Sequence, residues 1–231
     1  MELFNYIMSK VSDKDMHYIL LDEIQLVENF EDVLNSFLKK NNLDVYVTGS
    51  NSKFLSSDII TEFRGRSTEI KIYPLSFSEF TELKNISIDS AWKEYITYGG
   101  LPPVVLQENE KQKSEYLLNL FETTYLKDII ERNDIKRKDV LDSVVNILAS
   151  SVGSLTNPMN IYKTYISAGD KDISINTITS YIEYIENAFL IKKVERYDVK
   201  GRKYISTPFK YYFTDIGLRN IRLNFRQQEE N

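Results

Sequence analysis

Two short apolar runs separated by a helical stripe constrain this chain more than any other feature. Residues 18–21 read Tyr-Ile-Leu-Leu, and residues 45–47 read Val-Tyr-Val. Short apolar runs of this kind are often buried strands. Gly49-Ser50-Asn51 supplies the turn after the second. Between the runs, Val27, Phe30, Val33, Leu34, Phe37 and Leu38 recur at helical spacing. Strand, helix, strand is a βαβ unit, and its strands run parallel. The expected class is therefore α/β.

The first strand runs straight into Asp22-Glu23. Two readings of these acids stand side by side. In the first, Asp22 caps the following helix, with Gln25 three residues on as in a capping box. In the second, the acids stand at the end of a strand beside bound phosphates. There Asp22 would help to hold Mg²⁺, and Glu23 would orient or deprotonate an attacking water. The two are compatible, because a strand-end acid also precedes a helix.

The chain has 231 residues, enough for one large domain or two small ones. It has no cysteine, which excludes a disulfide framework, thiol chemistry and a Cys-based zinc site. His17 is the only histidine, so a histidine cluster is excluded and a surface or structural role is expected for it. No apolar run approaches the roughly 20 residues that cross a bilayer, and the polar start MELFNYIMSK is no secretory signal. These points favour a cytoplasmic protein with no membrane partner.

Further along, Phe54 to Phe63 reads as a helix ending at Arg64-Gly65-Arg66, and Thr68 to Tyr73 as a third strand stopped by Pro74. Ser76-Phe77-Ser78-Glu79 is a capping box that opens another helix. Helical character then dominates. A helix near Trp92 to Tyr98 breaks at Gly99-Gly100-Leu101-Pro102-Pro103. A long amphipathic helix is expected from Lys113 to Arg132, and another from Asp139 to Ser151. Asn157-Pro158 opens a short helix, and Ser174 caps the next. Ile191 to Tyr197 reads as a strand, Lys200-Gly201 as a turn, and Lys203 to Ile205 as the return. Helix, helix, helix, hairpin is the order of a winged helix-turn-helix.

Taken in order, YILLDEIQ (18–25), VYVTGSNSKFLS (45–56), FRGR (63–66), YPLSFSEF (73–80), YGGLPPVV (98–105), the stretch 173–203 and KYYFTDIGLRN (210–220) resemble one family. It is the group of bacterial and archaeal AAA-type ATPases followed by a domain of unknown function with a winged helix. The resemblance implies a partial parallel sheet of the P-loop AAA type over residues 1–75, a helical lid over 76–112, a helical linker and winged-helix domain over 113–220, and a tail at 221–231. It implies ATP and Mg²⁺ as cofactors and raises the second reading of Asp22-Glu23, a Walker B element, above the capping one. Asp22 would hold Mg²⁺ through water and Glu23 would polarise the attacking water. Thr48, with Ser50 nearby, would be the sensor at the neighbouring strand end, where the bland reading is a plain turn. Arg66 or Arg64 would neutralise charge on the transferring phosphoryl group, across a subunit boundary.

One departure matters. Such ATPases grip phosphate with G-x-x-x-x-G-K-[ST], and this chain has not even a Gly-Lys dipeptide. It is expected to be the middle of a longer ATPase, lacking an upstream loop and a downstream PD-(D/E)XK nuclease-like domain. The chain alone is expected to hydrolyse ATP poorly or not at all. Its half-formed sheet is expected to associate, with a second copy or with the missing half.

Charge is uneven. Residues 190–226 hold ten Lys or Arg against three acids, a local +7, so the remainder carries −12. Such a segment meets phosphate or is a solvated basic face. The candidate recognition helix, Ser174 to Asn187, has no Lys or Arg but has Glu183 and Glu186. That argues against its lying in a phosphate-lined groove. Lys192, Lys193, Arg196, Lys200, Arg202 and Lys203 lie on the hairpin instead, where a wing contacts nucleic-acid backbone without reading bases. The alternative is a winged helix that docks protein.

Overall fold

The expected parallel pair forms. In the computed structural model β1 (His17–Leu21) pairs with β2 (Leu43–Val47) in parallel, Ile19 opposite Val45 and Leu21 opposite Val47. The residues described are 2–49, 63, 65–169, 172–195 and 209–225, the side chain of Gln25 excepted. They divide into two compact units, Met1–Lys71 and Ile72–Asn231.

In the first unit, α1 (Glu2–Met8) and α2 (Phe30–Phe37) accompany the sheet. The α2 stripe closes as its spacing requires: Phe30, Val33, Leu34 and Phe37 are all buried, and they share a core with Ile19, Ile24 and Phe63. Pleating puts alternate strand residues on opposite faces. Ile19, Leu21, Leu43 and Val45 belong to this core, whereas Tyr18, Leu20 and Tyr46 on the other face are exposed.

Three expectations fail here. Asp22 caps no helix: Ile24–Leu26 is a single 3₁₀ turn, and α2 starts only after Asn29. Thr68 to Tyr73 is not a strand; Ile70 and Ile72 are 73% and 92% exposed. A strand needs a ladder partner, and among the described residues β1 and β2 pair only with each other. The third strand of the expected sheet is therefore absent. The helix at Phe54 to Phe63 lies outside the described residues, apart from a buried Phe63.

The second unit is mainly helical: α3 (Phe77–Lys84), α4 (Ile88–Tyr98), α5 (Pro102–Val105), α6 (Glu110–Asn119), α7 (Lys127–Arg132), α8 (Lys138–Ser150), α9 (Pro158–Ser167), α10 (Ile175–Asn187) and α11 (Ile216–Arg222). The capping residues act as expected. Ser76 and Glu79 form the complete box, Asn157 accepts from the Asn160 N–H at 2.7 Å, and Ser174 from that of Thr177 at 3.1 Å. The long helix is not uniform, because Leu120–Leu126 is π-helical between α6 and α7. Buried Phe121 and Leu126 are five residues apart. At about 100° per residue a regular α-helix would splay them, and a π-turn brings i and i+5 to one face.

The order helix, helix, helix, hairpin is present in α8, α9, α10 and the antiparallel pair β3 (Ile191–Val194) and β4 (Lys210–Phe213). Thr156, between α8 and α9, adds an antiparallel bridge to Phe209. The expected turn at Lys200-Gly201 and return at Lys203 to Ile205 lie outside the described residues; β3 pairs with 210–213. Among the described residues, no helix is long and apolar enough to cross a membrane.

Candidate functional site

Parallel pairing in register brings the two strand ends together. The Thr48 N–H donates to the Leu21 carbonyl at 2.9 Å, which seats Thr48 beside Asp22. Its hydroxyl donates to the Asp22 Oδ1 in a short hydrogen bond and accepts the Glu23 N–H at 3.2 Å. The Thr48 carbonyl takes the Ile24 N–H at 3.4 Å. One threonine thus binds three consecutive residues of the other strand end. Asp22 is exposed and keeps Oδ2 for a second partner, while Glu23 is half-buried.

Glu23 stands in the left-handed region, at φ 49° and ψ 45°. A side chain there costs about 1–2 kcal/mol. Glu23→Gly is therefore expected to raise the stability of the first unit by about 1 kcal/mol, whereas Glu23→Gln, which keeps a Cβ, leaves it unchanged. Urea unfolding of the three proteins measures this. The sequence offers a carboxylate where glycine would be more comfortable.

The structure brings Asp22, Glu23 and Thr48 together. Arg66 is exposed, its N–H on the Phe63 carbonyl at 2.9 Å. Ser50 and Arg64 lie outside the described residues, as do Arg196, Lys200, Arg202 and Lys203. Lys193 is occupied: its Nζ lies 3.7 Å from the Phe209 ring centroid and its N–H donates to Glu186 Oε1. Lys192 is exposed. Two other cations of the basic segment serve the fold, Arg219 on the Ala149 carbonyl and Arg222 on Asp142 and Asn146. On α10, only Asn176 and Glu183 are fully exposed.

Sequence reasoning missed a second constellation. Asp215 is 4% exposed. Its Oδ1 accepts the Gly217 and Leu218 N–H groups at 2.8 and 3.2 Å, and its Oδ2 accepts the Gly100 N–H at 2.8 Å. Burial pushes its carboxyl up, against the pull of those backbone donors. Asn220 donates to the Ile96 and Thr97 carbonyls at 2.7 and 3.0 Å. A Cβ on Gly100 would collide with the Leu75 carbonyl oxygen, and one on Gly217 with that of Tyr98. The stretches YGGLPP and TDIGLRN are therefore one backbone lock. The Asp-x-Gly capping signature at 215–217 was the available signal; its partner over a hundred residues away was not.

Residues for Mg²⁺ fit in part. This cation binds through one or two carboxylates, with waters and substrate phosphates completing its shell. Asp22 and Glu23 at a strand end suit that, and among the described residues no group of three metal-ligating side chains exists. The chain has no Gly-Lys loop for the phosphates.

A family model described as a domain of unknown function (DUF8612) matches residues 89–229, and one described as an AAA domain matches residues 1–81. An uncharacterized protein of Haemophilus influenzae is 40% identical over 213 residues, which cover 90% of this chain and 53% of that protein. An uncharacterized protein of Methanocaldococcus jannaschii is 29% identical over 244 residues, covering 99% of this chain and 53% of that one. The chain thus spans about half the length of the curated relatives it matches. The Aeropyrum pernix Orc1 protein in complex with DNA aligns over 94% of this chain and 65% of that chain at 13% identity, with a TM-score of 0.30 that establishes no common fold.

Proposed function

Because the chain belongs to the family of the domain of unknown function DUF8612, and an AAA domain matches its first 81 residues, we propose that it is part of an AAA-type ATP-binding protein that couples Mg·ATP hydrolysis to conformational change. The carrying observation is the Thr48 hydroxyl, held between the Asp22 carboxylate and the Glu23 N–H at adjacent strand ends. A Walker B acid and a sensor side chain need this juxtaposition. Asp22 then holds the metal through water, and Glu23 orients and deprotonates the attacking water. Thr48 fixes the Asp22 rotamer and couples the second strand to the first. When bound, Mg²⁺ neutralises phosphate charge. Arg66 or Arg64 serves a neighbouring subunit. Residues 76–112 act as the lid, and 113–220 as helical linker and winged helix.

Without a phosphate loop in this sequence, the chain alone turns over ATP poorly or not at all. Calorimetry of ATP·Mg²⁺ against the chain and Asp22→Ala tests the reading. Micromolar binding that the substitution weakens by about tenfold or more, roughly 1.4 kcal/mol, supports a metal site at Asp22. No binding, or binding indifferent to Asp22→Ala, overturns it. The second reading is a non-enzymatic module that docks nucleic acid or protein through residues 136–220. The missing Gly-Lys loop favours it, and absence of nucleotide binding is the result it expects.

A further inference from the structure

The outer face of the β3–β4 hairpin belongs to no function assigned so far. In an antiparallel pair, opposed residues share a face. Ile191 and Phe213, and Lys193 and Tyr211, contribute to the buried or half-buried side. Lys192 with Tyr212, and Val194 with Lys210, are all exposed on the other. The Lys192 Nζ lies 5.7 Å from the ring centroid of Tyr73, which is 55% exposed. The result is a strip of two lysines and two exposed tyrosines.

We propose that the hairpin's outer face, Lys192, Lys210 and Tyr212 with Tyr73 beside them, binds single-stranded nucleic acid through phosphate contact and base stacking, without reading sequence. Charge supports this partner. Residues 190–226 carry +7 and the remainder −12, so a polyanion is drawn to this segment and repelled elsewhere. Duplex reading through α10 is disfavoured, because its fully exposed positions are Asn176 and Glu183 and it carries no cation. Lysines interleaved with aromatic faces are what a single strand requires: ammonium groups for phosphates, rings for unpaired bases. An acidic protein surface would use the lysines but has no need of the rings.

The test is fluorescence anisotropy of a labelled oligothymidylate, and of a duplex of equal length, with the full chain. No nucleotide triphosphate is present, so the result is independent of the ATP reading. The expected result is salt-sensitive binding that favours the single strand. Lys192→Glu with Lys210→Glu should weaken it by about tenfold or more, and lower the slope of log K against log salt by about 1.4 in magnitude. Tyr212→Ala should weaken the single strand by about tenfold and leave the duplex unchanged. Circular-dichroism melts of the variants, expected to match the parent, separate these losses from unfolding. Absence of binding, salt-independent binding, preference for duplex, unchanged affinity in the lysine variant, or equal displacement by polyglutamate would each overturn the proposal.

Discussion

Asp215→Ala is expected to cost the Ile72–Asn231 unit about 4 kcal/mol, measured by urea unfolding. Two effects oppose each other. Burial of the carboxylate is unfavourable, and it is why that group's pKa stands above its ordinary value. Removing a buried charge could therefore help. But three backbone N–H groups, of Gly100, Gly217 and Leu218, point at its two oxygens. Each donor orphaned in a buried site costs about 1–3 kcal/mol, so the loss dominates. Asp215→Asn discriminates further. An amide offers one acceptor oxygen, and its NH₂ must face a donor at the other position, so about half of the loss should persist. The acid response has its own sign. A carboxyl with a raised folded pKa binds its proton more readily in the fold than in the unfolded chain. Its contribution to stability therefore rises as pH falls through the folded pKa toward the unfolded value of 3.8. A stability unchanged by Asp215→Ala would mean that the lock is only a contact.

Glu94→Ala is the second large effect, expected to cost about 3–5 kcal/mol. Glu94 accepts from Lys113 at 2.5 Å and pairs with Lys84 at 2.9 Å. The Lys113 side chain is only 4% exposed, with the Tyr98 ring 5.3 Å from its Nζ as its other charge-stabilising neighbour. Truncating the glutamate strands that ammonium in the core. Lys113→Ala should cost less, about 2 kcal/mol, because Glu94 retains Lys84 and is the more exposed partner. The asymmetry between the two substitutions is the measurable claim, and equal losses would refute it. Burial pushes the Glu94 carboxyl up, but hydrogen bonds and charge from Lys113 and Lys84 hold it below its ordinary value. Its stabilisation is thus complete above the unfolded value of 4.5 and lost as pH falls through the folded pKa. This is opposite in sign to Asp215. The parent should lose stability on acidification through Glu94, and the Glu94→Ala variant should lose less.

Much of the local structure was legible in the chain. Ser76, Asn157 and Ser174 cap helices because each carries a short acceptor before a helical stripe. Phe30 to Phe37 forms a helix because its apolar residues fall on one face. The candidate site was legible to the same depth, since Asp22, Glu23 and Thr48 end two strands that a βαβ unit must align. Thr68 to Tyr73 misled because its alternation is a strand's pattern, while a strand exists only through a partner. The long helix was read without its π-turn, although the five-residue step from Phe121 to Leu126 encodes it.

By itself the sequence determined helix starts, the parallel pairing of the two strands, the acids at the strand end and the concentration of positive charge after residue 190. These follow from interactions within a few residues, or from the shortness of one crossover. Tertiary structure alone decided that Gly100 and Gly217 allow two chain segments to touch, that Asp215 closes that contact, that Lys113 is buried against Glu94, and that Lys193, Arg219 and Arg222 serve the fold while Lys192 and Lys210 face outward. The physical reason is range. Capping and periodicity act along the chain, whereas the burial of a charge depends on what the rest of the fold brings to it.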